Sequence, residues 1–591
     1  MHRTAALART PLFQLSCESL PIDEHCRISY ERAKAIVNFY QLTAEDILNV
    51  SSKYWEFHTD PILTMDGSVG TLLTIHYNLA AGTLAMFARG RPDIQRSLQR
   101  MLTFQTSGQY CMTELGHGLD AINMETTATL LPDGSYELHT PNKRAAKFMP
   151  PTSPCGTPCE AVVLARLMVG GEDRGIKLFL VPLHDGVLMH KGVVCKILSP
   201  RGGSRPIKHA LTYFNRVRLA PTALLGDQLH AKDPRAAFFS NAARVIVGSL
   251  SMGAFAISAM RISTFVAGRY SLRRTVMDAL TGKPRQIATF SSQYLPLMTA
   301  LSQFFVSQSF SRKAHQLFVS LSNPTQKHFI AATFKTTVMK HCHDMTRILA
   351  DRCGAQGMFE ANQITVIHND LRGAAIAEGD TLVICIRKFG MKLTYSDLRS
   401  SLLTGFAMEL LLGRFEAPPT SNPESLLYRH EQSLISHLRA ILSASGHRNP
   451  ETEAILLPQC QGLIEAIGHR MAYDAAVEEG LDQHLIDSYV SHVISVDPSW
   501  YSEEAGIPRA LQKKMELESA TASFKHLESL LERLDVDSYV TAPIVSDERW
   551  DAHERSLQTY SHPGNSVLDT PWLRNIPSPL LREPQQLIAR L

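Results

Sequence analysis

The chain has 591 residues, of which 44% are hydrophobic and 19% charged, with a formal net charge of +3. This composition excludes disorder over most of the length, and the near-balance of charge excludes the basic footprint of a nucleic-acid binder as well as an acidic tail. At roughly 150 residues per domain the length predicts about three or four domains.

The elements change character along the chain. Residues 1–106 read as an N-terminal helical domain: Ser29 to Tyr40 and Gly70 to Met86 recur at helical spacing, and Pro92 opens a helix to Met101. Residues 1–17 carry Arg3 and Arg9 and no acid, a faint transit-peptide character without the apolar core of a secretory signal. From 107 to 230 the pattern switches to strands. Ser135 to Thr140 alternates after the Pro132-Asp133-Gly134 turn, Ala161–Val169 and Lys177–Pro182 are apolar runs split by Gly170-Gly171, and Leu211 to Leu219 alternates with Tyr213 and Val217 on one face. Residues 235–416 carry four long helical segments, Ala236–Val266, Phe290–Val319, Lys327–Ala350 and Leu398–Phe415, enough for a four-helix bundle. A Pro-rich linker at 418–423 leads to a further helical domain, 425–540, and residues 541–591 read as an extended Pro-rich tail. The expected fold class is α+β.

No uninterrupted apolar run approaches the ~18 residues of a membrane span. The most apolar stretch, Val245 to Met260, is broken by Gly248, Ser249, Ser251 and Gly253 and reads as a buried helix. The ten cysteines are scattered without a CxxC pair, which predicts free thiols in a reducing compartment. In His341-Cys342-His343 adjacent side chains on a helix diverge by about 100°, so no metal site is expected there.

Two segments carry chemistry. Tyr110-Cys-Met-Thr-Glu-Leu-Gly-His-Gly-Leu-Asp120 combines small residues with a Thr at the entrance to the β region. Its backbone N–H groups and hydroxyl suit an anion or a flat polar ring, although the same composition also makes a plain Gly-rich turn. Ala377-Glu-Gly-Asp-Thr381 places a carboxylate in a glycine turn, which taken alone is an ordinary solvated loop.

Thr113-Glu-Leu-Gly-His-Gly118 resembles the flavin-binding signature of acyl-CoA oxidases, members of the acyl-CoA dehydrogenase superfamily. Phe214-Asn-Arg-Val-Arg218, Arg269-Tyr-Ser-Leu-Arg-Arg274, Gln293-Tyr294 and Cys353-Gly-Ala-Gln-Gly-Met358 follow in the family's order, and Phe148-Met149 stand where the family carries two tryptophans. The resemblance implies an N-terminal helical domain, a central β-barrel-like domain binding FAD and acyl-CoA, a bundle carrying the catalytic base, and an additional C-terminal helical domain. It assigns the base to Glu378, and contacts to FAD to Cys111, Thr113, Gly116, Gly118, Phe148, Met149, Arg274, Gln293, Gly354 and Gly357. The family shares each FAD across two subunits, which implies a homodimer.

The implied activity is α,β-dehydrogenation of an acyl-CoA thioester with O2 as electron acceptor. A dehydrogenase using another acceptor, and an inactive acyl-CoA-binding scaffold, remain open alternatives. Ala589-Arg590-Leu591 resembles the terminal tripeptide read by the peroxisomal import receptor, which implies a peroxisomal location.

Overall fold

Asp66 anchors the N-terminal helices. Its Oδ1 accepts from the backbone N–H groups of Ser68 and Val69, capping a helix that begins at Gly67. Its Oδ2 pairs with Arg32 Nη1 at 3.0 Å, both groups buried, and Arg32 belongs to the helix Ile22–Tyr40. From this cap the chain runs without a break through Gly67–Thr74, a wider π turn Ile75–Ala81 and Gly82–Phe87. The first residues are part of this body: Ala5, Ala8 and Phe13 are buried, and Thr4 Oγ1 hydrogen-bonds Asp60 and the Tyr539 hydroxyl. The computed structural model describes residues 3–228, 232–386, 406–445 and 449–558.

The strands between residues 107 and 219 form two sheets. In the larger, β1 (Ser107–Cys111), β2 (Thr127–Leu130), β3 (Tyr136–His139), β5 (Cys159–Val169), β6 (Glu172–His184) and β9 (Val217–Leu219) combine. β1 and β2 lie in turn along one edge of β5, both parallel to it, while β6 returns antiparallel along the other edge. Gly170 and Gly171, with φ of +58° and +85°, make the turn between β5 and β6. The smaller sheet joins β4 (Lys147–Phe148), β8 (Ala210–Phe214) and β7 (Val193–Ile197).

The expected continuous strand Leu211 to Leu219 is therefore two strands in different sheets. Arg216 turns at φ +50°, and the alternation is reset there, so Tyr213 is half-buried while Val217 points into the core.

Three long helices, Arg244–Arg273, Ser291–Ser320 and Pro324–Arg352, pack on one another. Arg244–Arg273 is long and apolar enough to cross a membrane by length and composition, yet 94% of its most apolar window is buried inside the protein. The fourth helix against this set is Ile364–Ile376, absent from the sequence reading, which packs on the first and third. Its buried Asp370 takes the space beside Gly67, where a Cβ would come within 2.0 Å of Oδ2, and its Oδ1 accepts from Ser204 N–H. The segment expected as the fourth helix, Leu398–Phe415, is described only from 406, where Phe406–Leu411 packs on the C-terminal helices.

The C-terminal helices Leu426–Ser445, Cys460–Glu478, Gln483–Val496 and Arg509–Phe524 lie beyond. Residues 541–556 are docked rather than extended: Pro543 and Ile544 are buried, and Asp547–Ser556 is a helix whose Asp547 pairs with Arg273. The remainder of the expected tail lies outside the described residues.

Cys460–Glu478 approaches Pro324–Arg352 through Gly468, where an added Cβ would sit 1.8 Å from Thr337 Oγ1 and 2.9 Å from its Cβ. Gly468→Ala is expected to lower stability by about 1–3 kcal/mol through overpacking, read as a lower urea midpoint. Gly462→Ala on the same helix, where a Cβ meets nothing within 4 Å, is expected to be neutral or slightly stabilising.

Candidate active site

Glu378 sits at a junction between two helices. Ile364–Ile376 ends with Ala377 N–H donating to Gly373 O, and Thr381–Ile386 begins with Asp380 Oδ1 accepting from the N–H groups of Leu382 and Val383. Between them Glu378 and Gly379 take φ of +57° and +98°. The left-handed conformation costs a non-glycine residue about 1–3 kcal/mol and persists only where the surroundings enforce it. Here they do: buried Lys335 donates to the carbonyls on either side, Ala377 O at 2.6 Å and Gly379 O at 2.5 Å. Ser249 Oγ donates to the carbonyl of Glu378 itself.

That turn aims the Glu378 carboxylate at the helix Arg244–Arg273, where Gly248 leaves room for it. A Cβ at Gly248 would lie 2.3 Å from Glu378 Oε2. Oε2 is fully buried and makes no hydrogen bond. Burial pushes the Glu378 carboxyl up to about 8, against the opposing pull of Lys335 and Arg244. The same dryness pushes Lys335 down to about 7.

Arg244 is fixed beside this group by reciprocal bonds with Asn78: Nε to Asn78 O at 3.0 Å, Nη2 to Asn78 Oδ1 at 2.8 Å, and Asn78 Nδ2 back to Arg244 O at 3.0 Å. The buried hydroxyl of Tyr110 makes no hydrogen bond, and burial, reinforced by Glu378, raises its pKa. Sequence reading missed Arg244, Asn78 and Lys335, and took Gly248 and Ser249 only as breaks in an apolar run. No local signal marks them, because each acts across a long chain separation.

The 110–118 segment forms a folded edge with residues 144–149. Phe148 N–H donates to Thr113 O at 2.9 Å, Gly116 N–H to Arg144 O at 2.8 Å, and Leu115 N–H to Ala146 O at 2.9 Å. Beneath this edge Glu114 Oε1 pairs with Lys147 Nζ at 3.0 Å, both fully buried. The N–H groups of Glu125 and Thr126 complete the bonding of that carboxylate. Thr113, Phe148 and Met149 are half-buried, Gly118 is exposed, and a Cβ on Gly118 would meet nothing within 4 Å. Met149 O accepts from His209 Nδ1 at 2.6 Å, and burial pushes this imidazole down to about 4, leaving it neutral. The Cys111 side chain instead points into the core of the β region, where burial pushes its thiol up to about 12; only its backbone is available to a ligand.

The remaining residues singled out from sequence gather at the ends of the long helices. Gln293 Nε2 donates to Ser271 Oγ at 2.8 Å and Arg352 O at 3.0 Å, so its amide nitrogen is used within the chain. Arg274 is exposed at the C-terminus of its helix, and Gly354 is exposed at φ +60°. Gly357 packs against its own helix end, where a Cβ would lie 2.0 Å from Ala350 O. His341, Cys342 and His343 diverge to His469, Ala256 O and His368 respectively.

The arrangement of helices, two-sheet β region, helical bundle and C-terminal helical extension superposes on solved acyl-CoA oxidases. Acyl-CoA oxidase 1 of Yarrowia lipolytica superposes with a TM-score of 0.76 over 96% of this chain and 91% of its own, at 18% identity. Acyl-CoA oxidase-1 of Caenorhabditis elegans, solved in complex with FAD and ATP, superposes with a TM-score of 0.66 over 95% of this chain and 94% of its own, at 17% identity. Residues 245–389 match the family model of the acyl-CoA oxidase C-alpha1 domain. Human peroxisomal acyl-coenzyme A oxidase 3 is 23% identical over 415 residues, 64% of this chain. The chain spans 58% of that relative's length. On these findings the chain shares the fold of solved acyl-CoA oxidases and, over residues 245–389, resembles their C-alpha1 domain in sequence.

Lys335→Met removes both donors that clamp the Glu378 turn and leaves two carbonyls unsatisfied. The expected cost is about 2–5 kcal/mol of stability, seen as a lower Tm. Ser249→Ala removes one neutral donor and is expected to cost about 0.5–1.5 kcal/mol.

Proposed function

We propose that the protein is an FAD-dependent acyl-CoA oxidase that converts an acyl-CoA thioester to the trans-2-enoyl-CoA. The observation that carries this reading is Glu378, a buried carboxylate whose Oε2 has no hydrogen-bond partner and whose pKa is raised to about 8. A carboxylate that is dry and unpaired is a stronger base than one in water, which removal of the weakly acidic α proton demands.

The residues present fit FAD in part. The half-buried Thr113 hydroxyl, the open backbone at Gly118 and the half-buried Phe148 and Met149 side chains offer a polar edge and an apolar wall to a flavin, and the exposed Arg274 guanidinium offers a phosphate contact. The Cys111 side chain and the Gln293 amide nitrogen are engaged elsewhere and make no such offer. FAD, when bound, supplies acceptance of the hydride from the β carbon and delivery of its electrons to O2 as hydrogen peroxide. The chain's own work is at the α carbon. Oε2 of Glu378 takes the proton, and Lys335 and Ser249 hold the turn that aims it. The backbone N–H of Glu378, by the family resemblance, polarises the thioester carbonyl.

Only the ionised carboxylate accepts a proton, so kcat/KM is expected to rise with pH up to a limb near 8 and then level off. Glu378→Gln keeps the shape and the backbone N–H but is expected to slow anaerobic flavin reduction by at least about 10²–10⁴-fold and to abolish that limb. Reduction within tenfold of the parent removes Glu378 from the role. Formation of one hydrogen peroxide per enoyl-CoA in air separates an oxidase from a dehydrogenase. Protein that binds acyl-CoA but shows no flavin spectrum is a scaffold.

We also propose a homodimer as the working unit and a peroxisomal location. The exposed hairpin of β10 (Thr275–Met277) and β11 (Pro284–Gln286), with Met277 and Leu280 open to solvent beside Arg274, supports the first. Similarity to a human peroxisomal acyl-coenzyme A oxidase supports the second. The Ala589-Arg590-Leu591 address lies outside the described residues. Sedimentation of FAD-loaded protein is expected to give a dimer, and a monomer retaining stoichiometric FAD overturns that proposal.

A further inference from the structure

Two cysteines far apart in sequence meet where the first helix lies against the β region. Cys26 is in the second turn of Ile22–Tyr40 and is buried; Cys155 is in the Pro154-Cys155-Gly156 turn before β5 and is half-buried. Their sulfurs are 3.3 Å apart, with Cys155 Sγ on Cys26 Sγ across 129 residues of chain. The contact is held from both sides. Gly156 N–H donates to Gly186 O, fixing the turn, and the backbone N–H of Lys208 faces the Cys26 sulfur while its side chain pairs with Asp23 one turn earlier. The other eight thiols have no sulfur neighbour of this kind: Cys159, four residues on, points into the β core, and Cys342 donates to a backbone carbonyl.

We propose that Cys26 and Cys155 form a reversible, peroxide-sensitive disulfide that ties the N-terminal helices to the β region. The division of labour follows from the surroundings. Cys155 is the half-buried partner and so the one an oxidant approaches; its S–H is directed at the Cys26 sulfur, and the nearby positive charge of Arg27 favours its thiolate. Cys26 is sealed, and contact with Cys155 together with burial raises its pKa. Cys155 thiolate therefore attacks hydrogen peroxide. The S–O bond forms, the O–O bond breaks, and hydroxide leaves and is protonated to water, giving the Cys155 sulfenic acid. Cys26 sulfur then attacks Cys155 sulfur; the S–S bond forms, the S–O bond breaks, and the departing hydroxide takes the Cys26 proton as water. The sum is two thiols and one hydrogen peroxide giving one disulfide and two waters, with two electrons passing from sulfur to oxygen. The sulfurs need to close from 3.3 Å to a bond length of about 2.05 Å, within the reach of small side-chain rotations. A modification site of this kind is independent of the proposed oxidase activity, although that activity would supply the oxidant locally.

The test uses the full chain, reduced and desalted, then treated with a small molar excess of hydrogen peroxide. Denatured thiol titration is expected to fall from ten to eight, and digestion without reductant is expected to give one cross-linked peptide pair joining Cys26 to Cys155. Dithiothreitol is expected to restore the titre. In Cys26→Ser the sulfenic acid is expected to persist at Cys155 and be trapped by dimedone, while Cys155→Ser is expected to keep its remaining thiols. A titre that stays at ten overturns the proposal. So does a cross-link between other cysteines, or oxidation of Cys155 to sulfinic acid without a cross-link in the unsubstituted chain.

Discussion

The structure turns on keeping one carboxylate dry and unpaired. A buried ionised group is costly unless paired, and a buried neutral one is tolerated at the expense of a raised pKa. Glu378 lies on that boundary. Its surroundings contain two cations, but Arg244 gives Nε and Nη2 to Asn78 and Lys335 donates to two backbone carbonyls. Both act on the carboxylate through space, and neither neutralises it with a hydrogen bond.

The packing of the long helices makes this possible. Gly253 lets Pro324–Arg352 cross Arg244–Arg273 so closely that a Cβ there would lie 2.7 Å from the Phe334 ring and 3.2 Å from Lys335 Cα. That crossing delivers Lys335 to the turn at Glu378. Four and five residues earlier on the same helix, Ser249 and Gly248 supply the donor and the space that the turn needs. The small residues that break the apolar run therefore set the distance between the helices and admit the side chains that hold Glu378.

Much of this is legible in sequence and some is not. The Glu378 assignment and the 113–118 segment come from the resemblance of contiguous motifs to the acyl-CoA oxidases; local physics alone reads the first as a solvated loop and the second as a Gly-rich turn. The supporting cast is not contiguous. Lys335 lies 42 residues from Ala377 and Arg244 lies 166 from Asn78, and a single sequence carries no trace of such pairings. The helix Ile364–Ile376 escaped because its apolar pattern is short and interrupted by Asp370, a residue usually exposed but here buried beside Gly67. Strand β8 merged with β9 because alternation continues through Asn215-Arg216, and only the positive φ at Arg216 separates them.

Comparison of the buried carboxylates explains why burial alone does not mark a base. Glu114 pairs with Lys147 and two backbone N–H groups, which hold its pKa down although desolvation pushes the other way. Glu431 is gripped by Arg470 at 2.7 Å. Asp370 is pushed up to about 7 but gives an oxygen to Ser204 N–H. Glu160 also has an unbonded buried Oε2, yet its other oxygen pairs with Arg100 at 3.3 Å. Glu378 alone among these combines a raised pKa with an oxygen that no protein group claims. In the other four, a partner uses the carboxylate to fasten two parts of the fold together. In Glu378 the fastening is transferred to the backbone on either side, which leaves the side chain free for the proton transfer proposed for it.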